Sequence, residues 1–127
     1  VAYAMQHEHI DLFTSAADTI ARDGHIANKI VTFQIALLAE HFGIPYYVTG
    51  IPDSDKQTIA DIRIEQRDPT DVLSFRGVSH TFPGVKAIYP AFDITPPALI
   101  RGIVTDKGIY APADLHTYFD TPQDRFY

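Results

Sequence analysis

The stretch Asn28–Phe42 (NKIVTFQIALLAEHF) constrains the fold more than any other part of the chain. It has no Gly or Pro, and Ile30, Phe33, Leu37 and Leu38 recur at helical spacing. Val31, Ile35 and Phe42 widen that apolar face, so the pattern predicts a helix buried over much of its circumference. Gly43 suits the position just past its last turn. Before it, Ile10–Ala17 (IDLFTSAA) is short and mostly apolar, the pattern of one buried strand. After it, Tyr46–Thr49 (YYVT) is rich in β-formers. Strand, loop, helix, glycine and strand make a βαβ unit, and such a unit requires a parallel sheet with helices on its faces.

The remaining segments are shorter. Val1, Ala4 and Met5 keep helical spacing and predict the end of a helix over Val1–Glu8. Asp18–Ala27 reads as polar and irregular, with Asp23-Gly24 as a turn signal. Gly50–Asp61 is a loop and Ile62–Ile64 a short strand. Asp68-Pro69 pairs an N-cap with a proline at the first helical position and predicts a short helix through Val72. Thr95-Pro96 repeats that device, and Leu99, Ile100, Ile103 and Val104 form a helical stripe before Gly108. Tyr110–Tyr127 is polar and aromatic without a firm period, a tail expected to wrap a neighbouring surface or to be poorly ordered. The 127 residues allow one domain of ordinary size. The expected fold is therefore α/β: a Rossmann-like parallel sheet with flanking helices over residues 1–109, and a C-terminal tail over 110–127.

Charge and composition exclude several functions. Ten basic against sixteen acidic residues give a net charge of −6, which argues against a nucleic-acid or anionic-membrane partner. No apolar run reaches the length of a spanning helix, and no basic segment precedes an apolar one as in a leader. Absence of cysteine removes disulfides, thiolate metal sites and Cys nucleophiles, and it suits a reducing, cytoplasmic compartment. No metal site is expected. His7 and His9 are two apart and point in different directions on a helix, and His25 and His41 have no partner ligands at suitable spacing. Arg67-Asp68 reads as a structural pair around the Asp68 cap. Asp93, before Thr95-Pro96, reads as a cap first and a substrate contact second. Phe75, Phe82 and Phe92 read as core or interface, not as a base-stacking platform. The chain opens on Val1 with Met5 as its sole methionine, as a piece of a longer protein would.

Chemistry is expected where α/β folds place it, beyond the carboxyl ends of the strands. Asp18 lies just past the first strand, and Asn28-Lys29 open the long helix, whose free N–H groups and partial positive charge suit a phosphate. Lys29 adds a full charge, Asn28 can cap or bind a sugar oxygen, and Asp18 can act as a general acid or base beside them. The alternative makes Asp18 a turn residue, Asn28 a cap and Lys29 a solvated charge.

The run AADTIARDGHIANKIVTFQIALLAEHFGIPYYV, Ala16–Val48, resembles the strand–loop–helix core of the methylthioribose-1-phosphate isomerases, which share a superfamily with the regulatory subunits of translation initiation factor 2B. The family pattern is close to GADRIAANGDxANKIGT, then a helix and GIPFYV. IEQRDPTDV (Ile64–Val72) resembles the family's IEERDPEEV, and PAFDITPPALIRGIVTDKGI (Pro90–Ile109) its PAFDVTPxELITAIITEKGI. The archaeal ribose-1,5-bisphosphate isomerases share the RDP and PAFD blocks, but Phe75–Val78 and Pro83–Val85 between them resemble the FGGxR…PEGV of the methylthioribose enzymes.

The resemblance implies the fold of that family's C-terminal domain, with Asp18 as the proton donor and Asn28 and Lys29 as substrate-binding residues. The implied reaction turns 5-methylthioribose 1-phosphate into 5-methylthioribulose 1-phosphate, an aldose–ketose step of methionine salvage. It implies a phosphorylated pentose and a second copy of the chain as partners, and no cofactor. A proton donor needs a water-poor pocket in which a carboxyl keeps its proton. The family's second catalytic residue, a Cys, and its Arg-Gly-Ala substrate loop lie upstream of this region, and the chain contains neither. It is thus expected to be inactive alone. It also departs from the pattern: Ala16 and Thr19 stand for Gly and Arg, Asp23 and His25 for Asn and Asp, Val31 for Gly, and Tyr89 for Asn. The retained Asp18 favours an enzyme. The departures favour a non-catalytic regulatory or assembly module, or isomerisation of another pentose phosphate such as ribose 1,5-bisphosphate or 5-deoxyribose 1-phosphate.

Overall fold

In the computed structural model, which describes residues 1–120 and Pro122, helix α1 (Ala2–His7) leads into strand β1 (Phe13–Ala16). Strands β2 (Thr19–Ile20) and β3 (Ile26–Lys29) follow, then helix α2 (Thr32–His41) and β4 (Tyr46–Thr49). A 3₁₀ turn at Ile59–Asp61 precedes α3 (Thr70–Leu73), β5 (Ser74–Phe75) and β6 (Val78–Ser79). Next come β7 (Phe92–Thr95), a 3₁₀ turn at Pro97–Leu99, β8 (Gly102–Thr105), β9 (Gly108–Tyr110) and a 3₁₀ segment at Pro112–Phe119.

The βαβ unit forms as the pattern predicts. β1 and β4 pair in parallel with Phe13 opposite Tyr46, β8 adds in parallel with Ile103 opposite Val48, and β9 closes the order β1-β4-β8-β9 antiparallel to β8. A second, antiparallel sheet has the order β2-β3-β7. Helix α2 packs on β1, β4 and β7, so the chain is α/β. Tyr46, Val48, Ile103 and Leu115 are fully buried between these elements. The Tyr46 ring stacks on Phe13 at 4.4 Å, and its hydroxyl lies 2.6 Å from the Ser15 Oγ. Burial pushes the Tyr46 phenol up, the Ser15 bond opposes this, and the charge of Asp93 adds to it. No helix among the described residues is long and apolar enough to cross a membrane.

Several expectations are corrected. Asp18–Ala27 is not irregular: it holds the β2–β3 hairpin, turning at Asp23-Gly24, where Gly24 takes φ +88°. Asn28 and Lys29 do not open the helix. They end β3, because that segment pairs with β7 across all four of its residues. Helix α2 begins at Thr32 after a corner at Val31, and its buried face is Thr32, Ala36 and Ala39. Small side chains let the helix sit close to the sheet, so Leu37 is left 47% exposed, and Ile30 lies outside the helix, 37% exposed. Residues 95–108 form β8 and β9 where a helical stripe was expected. Ile103-Val104-Thr105 is a short β-branched run, and short apolar runs cannot be told from helix by period alone. The strand expected at Ile62–Ile64 is displaced onto Gln66, which bridges Pro90. The Arg67 N–H donates to the Tyr89 carbonyl, and the Ala91 N–H to that of Glu65, both at 2.8 Å.

The short helix expected at Asp68-Pro69 forms as α3, with the Asp68 carboxylate accepting the Thr70 N–H at 2.9 Å. Arg67 does not pair with Asp68. Its Nε donates to Glu65 at 3.3 Å, and its guanidinium lies 5.8 Å from the Tyr89 ring centre. Phe75 and Phe82 are surface residues, not core, at 68% and 85% exposure. Within the expected tail, Pro112–Phe119 packs inward and buries Leu115 and Tyr118. The rest of that expectation, on Thr121 and 123–127, lies outside the described residues.

Candidate functional site

The carboxyl ends of β1 and β4 lie side by side, since Ala16 pairs with Thr49. The chain leaves β1 through Ala17 and Asp18, and the Asp18 N–H donates to the Ala27 carbonyl at 2.9 Å. That bond sets Asp18 against the residue preceding Asn28. The three sequence-predicted residues are thus neighbours along the backbone, just past the carboxyl end of β1. Gly50 closes the approach from β4: a Cβ there would stand 2.8 Å from the Ile20 Cδ1. The loop after β4 is fastened to the same hairpin. The Ile20 N–H donates to the Asp53 carboxylate, and the Asp53 N–H to the Ile20 carbonyl, both at 2.9 Å.

The three side chains have different surroundings. Asp18 is exposed and makes no side-chain hydrogen bond among the described residues. Asn28 is half-buried, and its Nδ2 donates to the Thr32 Oγ1 at 3.0 Å. The Thr32 hydroxyl in turn donates to the Lys29 carbonyl at 2.7 Å. Lys29 is exposed, with its ammonium 4.8 Å from the Phe92 ring centre, a cation–π contact that steadies it at the rim.

The helix N-terminus differs from the expectation. Its free N–H groups face the Asp93 carboxylate, which accepts from Val31 at 2.6 Å and from Phe33 at 3.0 Å. Asp93 is a cap, as expected, but of α2 and not of the segment that follows it in sequence. The anion position at the helix start is therefore filled by the chain itself. Sequence reasoning missed this pairing because the capping carboxylate comes from far along the chain, with no local signature of the capping-box kind.

His25 turns away from this corner. Its Nδ1 lies 3.1 Å from the Asp23 carboxylate at the closed end of the hairpin. Burial raises the Asp23 carboxyl, but the N–H groups of His25 and Ile59 and the His25 ring outweigh it and hold Asp23 below its usual range. A lowered folded value means this stabilisation is present above the unfolded value, about pH 4, and is lost as pH falls through the folded one. The Ile59 amide is thus expected to lose hydrogen-exchange protection below about pH 4. Protection that stays flat from about pH 6 to about pH 2 would exclude the coupling.

An open groove of about 850 Å³ lies elsewhere, lined by Asp23, Glu40, Tyr46, Pro97 and Arg101. It sits where β4 and β8 begin, at the opposite end of the parallel strands from Asp18. Ligands of α/β sheets bind at the carboxyl ends, so the shallow corner around Asp18 is the better candidate.

The sequence pattern of the initiation factor 2 subunit family matches residues 1–112. The chain is 44% identical over 111 residues to a methylthioribose-1-phosphate isomerase of Bacillus pumilus, covering 85% of this chain and 31% of that protein. It is 45% identical over 115 residues to a methylthioribose-1-phosphate isomerase of Chloroflexus aurantiacus, covering 87% and 33%. Among solved structures, 5-methylthioribose 1-phosphate isomerase from Pyrococcus horikoshii superposes with a TM-score of 0.84 at 35% identity, covering 94% of this chain and 34% of that one. The delta subunit of initiation factor eIF-2B from A. fulgidus gives 0.79 at 29% identity, covering 89% and 34%. The chain thus spans about a third of the length of the curated relatives it matches. With the family pattern running through the Asp18 hairpin, helix α2 and the β7–β9 segment, the chain belongs to the initiation factor 2 subunit family.

Proposed function

We propose that this chain is the C-terminal part of a cytoplasmic sugar-phosphate isomerase that converts 5-methylthioribose 1-phosphate into 5-methylthioribulose 1-phosphate in methionine salvage. One observation supports the reading: the Asp18 N–H bond to Ala27 holds the Asp18 backbone next to that of Asn28-Lys29, just past the carboxyl end of β1. Lys29 supplies the cation for the phosphate. Asn28 spends one amide N–H on Thr32 and keeps its carbonyl for a sugar hydroxyl. Asp18 gives its proton to the ring oxygen as the C1–O bond opens. One hydrogen passes from C2 to C1, and the C2 hydroxyl proton is released, so atoms balance and no redox partner is consumed.

Asp18 is exposed in this chain, and its site needs walls that residues 1–109 do not supply. Full-length protein is therefore expected to form ketose from the 1-phosphate, and the 127-residue chain to form none. Parallel reactions with ribose 1,5-bisphosphate and 5-deoxyribose 1-phosphate test the substrate. No turnover of any pentose phosphate by the full-length protein would leave the non-catalytic reading, which the departures from the family pattern around Asp18 and the likeness to the A. fulgidus subunit favour.

Homodimerisation through this domain belongs to the same reading. The β5–β6 arm presents Phe75, Val78 and Phe82 at 68%, 69% and 85% exposure, an apolar set that a second copy would cover. Sedimentation of the full-length protein as a monomer at micromolar concentration would overturn it.

A further inference from the structure

Val31 is the residue that turns β3 into α2, and it does so at φ 92° and ψ −17°, in the left-handed region. A β-branched side chain is a genuine outlier there and persists only where its surroundings fix it. Those surroundings come from one strand. β7 pairs with β3 so that Asp93 stands opposite Asn28 and Phe92 opposite Lys29. The Asp93 Oδ2 accepts the Val31 N–H at 2.6 Å, and its Oδ1 accepts the Phe33 N–H at 3.0 Å. The Ile30 N–H donates to the Ala91 carbonyl at 3.2 Å. From Asn28 to Phe33, then, Ala91, Phe92 and Asp93 hold the backbone, and the Phe92 ring holds the Lys29 ammonium.

We propose that Asp93 is a positioning residue for the substrate: its bidentate grip on Val31 and Phe33 fixes the corner from which Asn28 and Lys29 reach the sugar phosphate. This rests on the isomerase reading. The carboxylate does not touch the substrate. It replaces a bound anion at the helix start and converts the helix into an anchor. The phosphate is thereby left to Lys29 and to the hairpin side of the corner. Asn28 is coupled directly, because its Nδ2 bonds to Thr32, the residue between the two that Asp93 grips.

The test compares Asp93→Asn with the wild type in the full-length protein. An amide keeps the size but can accept at one atom only, so one of the two N–H groups loses its partner. Asn28 and Lys29 bind the substrate in ground and transition states alike. KM for the 1-phosphate is therefore expected to rise about tenfold or more, with kcat within about threefold. Adding Val31→Gly supplies a residue that adopts this φ unaided, and it is expected to return most of the KM. A merely structural Asp93 would lower Tm and leave KM alone, and that outcome overturns the proposal. If Asp93→Asn does not fold, the comparison is made in the Val31→Gly background. There Asp93→Asn is expected to change KM by less than about threefold, and a full tenfold rise in that background would overturn the link through Val31. If the wild type turns over no pentose phosphate, the isomerase reading fails on its own. The positioning is then read by nuclear magnetic resonance: Asp93→Asn is expected to speed exchange of the Val31 and Phe33 amides and to shift the Asn28 side-chain amide. An unmoved Asn28 amide would overturn it.

Discussion

Replacing Asp18 by Asn in the full-length protein is expected to lower kcat for ketose formation by about two to four orders of magnitude, with KM changed by no more than about threefold. The size of the effect follows from the role. A general acid that delivers a proton as a bond breaks contributes in the transition state, not in binding, so its loss appears in kcat. Asn matches Asp in shape and cannot donate a proton of comparable acidity. The variant is also a clean one. The Asp18 main-chain N–H keeps its bond to Ala27, and the exposed side chain surrenders no hydrogen bond among the described residues. Stability is therefore expected to stay within about 0.5 kcal/mol of the wild type. Thermal melting checks that, and steady-state ketose assays check the rate. An unchanged kcat would make Asp18 a turn residue and nothing more. A collapse in both melting and rate would show that the carboxylate serves the fold.

How much of this was legible in the sequence depends on how local each cause is. The βαβ unit could be read because α2 carries its helical pattern internally and β4 follows Gly43 directly. Asp18, Asn28 and Lys29 could be singled out because their place follows from that unit. Their secondary structure could not. Nothing in ANKIVT marks Val31 as the corner, since the left-handed turn is imposed by Asp93, sixty-two residues away. The β2–β3 hairpin did carry a signal, Asp23-Gly24 between Ile20 and Ile26, but the two-residue β2 is too short for alternation to register. In β8, burial replaced alternation with a continuous apolar run that fits either period. The departures from the family pattern sort in the same way. Tyr89 supplies the ring that lies beneath Arg67, and Val31 is tolerated because its backbone is held. Nothing in the structure explains Thr19 in place of Arg.

Truncating Leu115 to Ala is expected to cost about 2–5 kcal/mol, a large share of the roughly 5–15 kcal/mol that holds a domain together. Leu115 lies in the stretch that carries no helical or strand period, yet none of it is exposed. The reason is a different period. Pro112, Leu115 and Tyr118 are three apart, and in consecutive 3₁₀ turns residues at that spacing share one face, which here is the buried one. Two polar contacts hold the segment in place: the Tyr118 hydroxyl donates to Asp106 at 2.9 Å, and the Lys107 ammonium donates to the Tyr118 carbonyl at 3.1 Å. Both partners sit in the β8–β9 turn, so the segment covers the sheet beside Ile103 and cannot lift away without opening the core. Removing the Leu115 side chain leaves a cavity that surrounding strands cannot close. A fall in Tm on the order of 10 °C is the expected reading. Ile88→Ala serves as the control, because at 83% exposure it is expected to stay within about 0.5 kcal/mol. A loosely attached tail would make the two substitutions equally harmless, and equal melting curves would remove Pro112–Phe119 from the core of this domain.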